Sequence, residues 1–289
     1  PPHFFIQAED GIRDSSTSRW LVDVYKRQVG ESGRRVVTQN LARIRDRYKL
    51  DFVIANGENS ASGFGITEKI LHGLIDAGVD VITSGNHIWD QKDTLIYIDR
   101  ETRLLRPANY PEGTPGKGSF LYKAKNGEQI LVINIMGRVF MNPLDDPFRI
   151  IDDIIDNNGL NNVDDAIFVD FHAEATSEKL AMGYYLDGRV SMIAGTHTHI
   201  PTSDARILSK GTGYISDVGM SGDYDSILGF DKRNPLEKFI SGIPSGRFIP
   251  AKGEGTFSGI LFETNSDGLI SNISPIKFGG IFDDELPDF

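Results

Sequence analysis

From Val29 onward, apolar and polar positions fall in short blocks that change period. Val37, Leu41, Ile44 and Tyr48 recur at helical spacing on a basic, polar segment, with Ser32 available as a cap. Phe52-Val53-Ile54-Ala55 is an apolar run too short for a helix and reads as a strand. The signals then repeat as a helix over Thr67–Ala77, a strand over Val79–Thr83 and a helix near Lys92–Ile98. A Pro/Gly-rich stretch from Pro107 to Gly118 follows. Further strands are predicted at Ile130–Ile135, Ala166–Asp170 and Val190–Ala194, with helices near Pro147–Asn157 and Ser177–Tyr185. From Gly213 the pattern turns rich in strands and loops (Tyr214–Ser216, Thr256–Glu263, Ile270–Phe278). Alternating strands and helices predict an α/β sandwich with a largely parallel sheet. One domain is expected over 29–289, its late strands closing a second sheet layer.

Residues 1–28 break this pattern. The segment Gln7–Gln28 is polar, rich in turn formers and without helical periodicity. It resembles the peptide obtained when sequencing-adapter DNA is translated in frame, and is expected to be a fusion scar.

Composition narrows the class. The chain has 289 residues, 39% hydrophobic and 25% charged, enough for a large core. No run approaches the roughly 18 apolar residues of a membrane helix, and no basic-then-apolar leader opens the chain. A soluble, cytoplasmic protein with no membrane partner is expected. Thirty Lys+Arg against 41 Asp+Glu leave a net charge of −11. That is a poor footprint for long nucleic acid, but it suits a small phosphate ester if metal ions supply the positive charge. The absence of cysteine excludes disulfides, thiolate zinc sites, iron–sulfur clusters and cysteine nucleophiles. Any metal must be held by His, Asn and carboxylates.

Polar clusters gather where apolar strands end: NGEN after 52–55, GNH after 79–83, DFHAE after 166–169 and GTHTH after 190–194. The carboxyl edge of an open α/β sheet is where ligands bind. Four of the six histidines, His87, His172, His197 and His199, lie in these loops; His3 is in the tail and His72 in a helix. In extended backbone His197 and His199 point to one side and can reach neighbouring points. Two exposed loop histidines fit the same letters. Glu58 can bridge two cations and Asn59 offers a carbonyl, though Asn-Gly is also a plain turn signal. Asn86-His87 could be a cap and turn, Asp90 a helix-terminal carboxylate, and His172-Ala173-Glu174 an exposed strand end. The four clusters together favour a nitrogen/oxygen metal site for manganese, iron or zinc.

These motifs resemble the calcineurin-like metallophosphoesterase superfamily. More closely, NGEN-SASGFGIT, SGNHIWD, DFHAEATSEK, AGTHTHIPTSD and GYISDVGMSG resemble the bacterial YmdB-like cyclic-nucleotide phosphodiesterases. The resemblance implies a four-layer α/β/β/α sandwich with a binuclear site of iron or manganese. It also implies hydrolysis of 2′,3′- or 3′,5′-cyclic nucleotides, and leaves homo-oligomers open. It makes Glu58 the bridging ligand, with Asn59 and His199 on a first metal. Asn86, His172 and His197 are implied on a second metal, and His87 as the proton donor.

The family's first strand ends in G-D-I-V-G, whose Asp is a ligand of the first metal. Here Arg27 stands in its place, so the first metal loses a carboxylate and faces a permanent cation. Trp20–Tyr25 aligns with that strand and is expected to occupy it, because an empty central position would expose two rows of backbone donors and acceptors. Asp23 is expected to fit a covered layer poorly. Two other functions stay open: a phosphomonoesterase or nucleotidase on the same fold, and a metal-poor regulatory binding protein motivated by Arg27.

Overall fold

The structure, a computed structural model, describes residues 18–23, 31–158, 165–243 and 246–288, with 18–23 and 157–158 as backbone only. The chain runs β1 (Ser18–Asp23), α1 (Glu31–Tyr48), β2 (Phe52–Asn56), α2 (Glu68–Asp76), β3 (Val81–Thr83) and α3 (Thr94–Tyr97). It continues with β4 (Ser119–Lys123), β5 (Gln129–Met136), α4 (Pro147–Asn158), β6 (Ala166–His172), α5 (Thr176–Leu186) and β7 (Met192–Thr196). The last elements are β8 (Arg206–Ile207), β9 (Gly213–Ile215), α6 (Arg233–Ser241), β10 (Phe257–Thr264) and β11 (Ile270–Phe278).

Two sheets form. One has the order β11-β10-β1-β2-β3, the other β4-β5-β6-β7-β9-β8. Strands β1, β2 and β3 are parallel, as are β5, β6, β7 and β9, and antiparallel strands finish the edges. The late strands divide, which corrects the expectation that they would close the second layer together. Strands β8 and β9 do complete the second sheet, but β10 and β11 return to the first, where β10 covers the free edge of β1.

Side chains of a strand alternate between faces, and here both faces are covered. On β2, Val53 and Ala55 join α1 and α2 in one core, while Phe52 and Ile54 face the other sheet. On β6, Ala166 and Phe168 share that inter-sheet core, while Ile167, Val169 and Phe171 pack against α4 and α5. The layers are therefore helix, sheet, sheet, helix, the four-layer α/β/β/α sandwich expected. Helix α1 starts at Glu31, so Ser32 lies inside its first turn and is not the cap; Thr67 does cap α2, accepting from the Ile70 amide.

Strand β1 occupies the central position expected for it, parallel to β2 with Trp20 opposite Phe52 and antiparallel to β10 with Leu21 opposite Leu261. Its side chains, including the fit of Asp23, lie outside the described residues, as do Arg27, His3 and the adapter-like tail before Ser18.

Candidate active site

On β2, β3, β6 and β7 the inter-sheet face is apolar at its start and polar at its carboxyl end: Phe52-Ile54-Asn56, Val81-Thr83, Phe168-Asp170-His172 and Met192-Ala194-Thr196. The polar ends meet between the sheets. Asp170 is fully buried and accepts hydrogen bonds from Asn56 Nδ2 at 2.8 Å, Thr83 Oγ1 at 2.5 Å and Thr196 Oγ1 at 2.6 Å. The first two come from one sheet and the third from the other, so this carboxylate fastens the sheets together where the site begins. Burial pushes its pKa up, against the opposing pull of His172 and of the three donors.

This knot sets the state of His172. The single hydroxyl proton of Thr196 goes to Asp170, so toward His172 Nδ1, 3.1 Å away, the hydroxyl acts as acceptor. Nδ1 then carries the imidazole proton and Nε2 presents its lone pair. Around Nε2 stand Asn86 Oδ1 at 2.9 Å, His197 Nδ1 at 3.1 Å and Glu58 Oε1 at 3.2 Å. His197 has its Nε2 on Glu174 Oε2 at 3.1 Å, which places its proton there and leaves Nδ1 with a lone pair. One proton cannot serve four such atoms. A cation among them can, and the ligand atoms of Glu58, His172 and His197 all lie within 4.8 Å of one another.

The remaining candidates sit around this group. Asn59 follows Glu58 into the interior; its Nδ2 donates to Gly63 O at 2.7 Å, while its buried Oδ1 has no hydrogen-bond partner among the described residues. A buried carbonyl oxygen in that state suits a metal ligand. His199 is buried but lies outside the converging group. Both loop histidines have left-handed backbone, His197 at φ 103° and His199 at φ 72°, a strain that persists where surrounding structure fixes it. The fixing group is Asp217, which accepts from Thr198 N and Oγ1 at 2.8 Å each and pairs with buried Lys179 at 2.9 Å.

His87 takes a different position. Its backbone amide donates to Glu58 Oε1 at 3.1 Å, but its half-buried ring stands apart from the ligand group. Its Nδ1 lies 2.6 Å from Asp90 Oδ2, which orients the ring so that Nε2 is the nitrogen turned away from the carboxylate. Asp90 is therefore the orienting carboxylate of His87, a reading its 3-residue spacing allowed but the letters did not single out. Gly85, just before, must be glycine: an added Cβ would come within 2.3 Å of the His172 ring. The sequence reading missed Asp170, Thr196 and Lys179–Asp217. The available signal was a carboxylate or hydroxyl at the inward-facing end of an otherwise apolar strand.

This fold and this carboxyl-edge cluster define a metallophosphoesterase, an enzyme that hydrolyses phosphate esters and whose fold implies divalent metal ions. The chain belongs to the YmdB-like protein family, whose sequence profile matches residues 26–276. It is 52% identical over 235 residues to the 2′,3′-cyclic-nucleotide 2′-phosphodiesterase of Bacillus subtilis (strain 168), covering 81% of this chain and 88% of that one. Among solved structures, a novel phosphatase from Mycoplasma pneumoniae superposes with a TM-score of 0.83 at 32% identity, covering 91% of this chain and 94% of its own. A hypothetical protein from Thermus thermophilus gives 0.82 at 43% identity, covering 91% and 99%. No helix among the described residues is long and apolar enough to cross a membrane.

Proposed function

We propose that this chain is a phosphodiesterase acting on cyclic nucleotides, the 2′,3′-cyclic type first, at a two-metal site of iron or manganese. The observation that carries the reading is the convergence of Asn86 Oδ1, Glu58 Oε1 and His197 Nδ1 on His172 Nε2, with His87 beside them on a separate carboxylate. Glu58, Asn86, His172 and His197 would hold one ion, and Glu58, Asn59 and His199 the other. When bound, two ions would supply positive charge for the phosphoryl oxygens and lower the pKa of water, the nucleophile of the hydrolysis.

The chain's own residues do the rest. Asp170, through Thr196, fixes the proton of His172 on Nδ1, and Glu174 fixes that of His197 on Nε2. His87, held at Nδ1 by Asp90, gives a proton from Nε2 to the departing sugar oxygen. The Bacillus relative's named activity opens the 2′ ester; by that likeness the departing oxygen here is O2′ and the product a 3′-phosphate. Arg27, outside the described residues, favours a second reading, a metal-poor binding protein, for the chain as it stands.

Chelation followed by metal return tests the proposal. Treated protein should lose turnover of 2′,3′-cyclic nucleotides and recover it with manganese or iron. Turnover that survives complete metal removal would end the two-metal reading. A panel including phosphomonoesters checks the substrate class, and faster cleavage of monoesters would make the protein a phosphomonoesterase.

A further inference from the structure

The motif Ser60-Ala61-Ser62-Gly63-Phe64-Gly65 follows the site residues Glu58 and Asn59 directly, and apart from Gly63 O, which accepts from Asn59, no role above uses it. Its backbone bends through three left-handed residues, Ser62 at φ 54°, Gly63 at 96° and Gly65 at 72°. Two of these are glycines, which carry that conformation at no steric cost; Ser62 is not, and a strained exposed residue beside a site is held there by its surroundings. The loop is closed by Ala61 N on Gly65 O at 2.9 Å and Phe64 N on Ala61 O at 3.1 Å. Arg34 on α1 donates to Ser60 O at 2.6 Å, and Gln91 donates to Phe64 O at 2.6 Å. The effect of this bracing is to hold one large apolar ring at the rim of a polar site.

That ring, Phe64, is half-buried and meets the His87 ring edge-on, centroids 5.2 Å apart and planes at 81°. Behind it buried Phe230 lies tilted at 6.0 Å, and Phe230 in turn packs on Phe248 at 5.4 Å. Phe64, Phe230 and Phe248 thus form a continuous row of rings that begins at His87. Phe64 is only half-buried, so part of it stays open beside His87.

We propose that Phe64 is the platform on which the nucleobase of the substrate stacks. The proposal rests on the cyclic-nucleotide reading above. In a ribonucleoside 2′,3′-cyclic phosphate the base hangs from C1′, the neighbour of the carbon bearing O2′. With O2′ at His87, the base falls within one ring's reach, where Phe64 stands. Stacking reads the π-face that every base has, so it selects nucleosides over baseless esters while discriminating little among the four bases. It also separates the labour of the site: the cluster takes the phosphate, and Phe64 takes the base.

The test is equilibrium binding of adenosine 3′-monophosphate and of inorganic phosphate to the manganese-loaded protein, with wild type, Phe64→Leu and Phe64→Tyr. Leu keeps the apolar bulk and removes the π-face. Phe64→Leu should weaken the nucleotide's Kd by about 5- to 150-fold, the range of one aromatic–base stack, and leave that of phosphate unchanged. Phe64→Tyr should bind both ligands as wild type does. Hydrolysis of 2′,3′-cyclic AMP against 1-O-methylribose 2,3-cyclic phosphate should show the same split in KM. Equal loss for both ligands in Phe64→Leu would make Phe64 a packing residue for His87 and overturn the platform. So would a wild-type nucleotide affinity no better than that of phosphate, although the phosphodiesterase reading would stand. Wild-type protein that binds neither ligand would remove that reading, and the platform with it.

Discussion

The two sheets bring their parts of the site into place by different means. The sheet of β5, β6, β7 and β9 supplies His172 and His197 with every supporting group in view: Asp170 and Thr196 behind one ring, Glu174 behind the other, Lys179 and Asp217 beneath the loop. The sheet of β1, β2 and β3 supplies Glu58 and Asn59 from β2, but its central strand β1 comes from the segment that resembles translated adapter DNA. That strand has the right place and direction, and its register with β2 and β10 is regular. Strand position follows from unpaired backbone on two neighbours, which almost any extended apolar run can satisfy. Site chemistry does not. By the family resemblance it calls for an aspartate after this strand, where the sequence has Arg27.

Removing a site histidine from either side, His87 after β3 or His197 after β7, should give the largest effect. His87→Ala is expected to lower turnover by about 10²–10⁴ with metal content kept, while His197→Ala loses metal. Equal metal loss in both would make His87 a ligand. On the β1 side, Arg27→Asp should sharpen the contrast. Each unit of like charge removed beside one positive charge is worth roughly 4 kcal/mol at ~4 Å and an effective dielectric of about 20, near three decades of affinity, and Arg27→Asp changes the charge by two units. Elemental analysis after gel filtration should read about one tightly held metal per chain before the change and two after it. Two metals with Arg27 in place would mean that the first site lies elsewhere.

The supports come next. Lys179→Met leaves Asp217 buried without its cation, and urea unfolding should show a loss of about 3 kcal/mol, since three donated bonds remain on the carboxylate. A smaller loss would mean that Lys179 adds little to that network. Smallest, Glu174→Ala and Thr196→Val should each weaken metal binding by about 10- to 100-fold with the ligands untouched. Competition with a chromogenic chelator measures this, and unchanged affinity would show that neither group sets the histidine tautomers.

Much of this architecture was legible in the chain. The strands β2, β5, β6 and β7 are short apolar runs that end in polar letters, and burial on both faces makes such runs conspicuous. Strand β4 was missed because it is an edge strand with only partial burial, next to a Pro/Gly-rich stretch. Helix α6 was missed for another reason: Leu236, Phe239 and Ile240 are exposed, so its apolar face has no core to match. The return of β10 to β1 has no local signature, because pairing between distant strands is a property of the whole fold. At the site, residue type and strand end pointed to the histidines and to Glu58. The tautomers did not follow from the letters, since they depend on Thr196 giving its one proton to Asp170.

The pairing of β1 with β10 also constrains the order of assembly. Leu21 and Leu261 are neighbours in space and nearly the whole chain apart in sequence. Closing so long a loop is slow, and on a ribosome β10 emerges late. Until then the β1–β2–β3 ribbon carries an open edge of backbone donors and acceptors in the middle of what will become a sheet. Any second nascent chain presents a strand that could occupy it. The protein therefore has a vulnerable interval during synthesis, ended by its own last strands, and aggregation should compete with folding most when those strands are delayed.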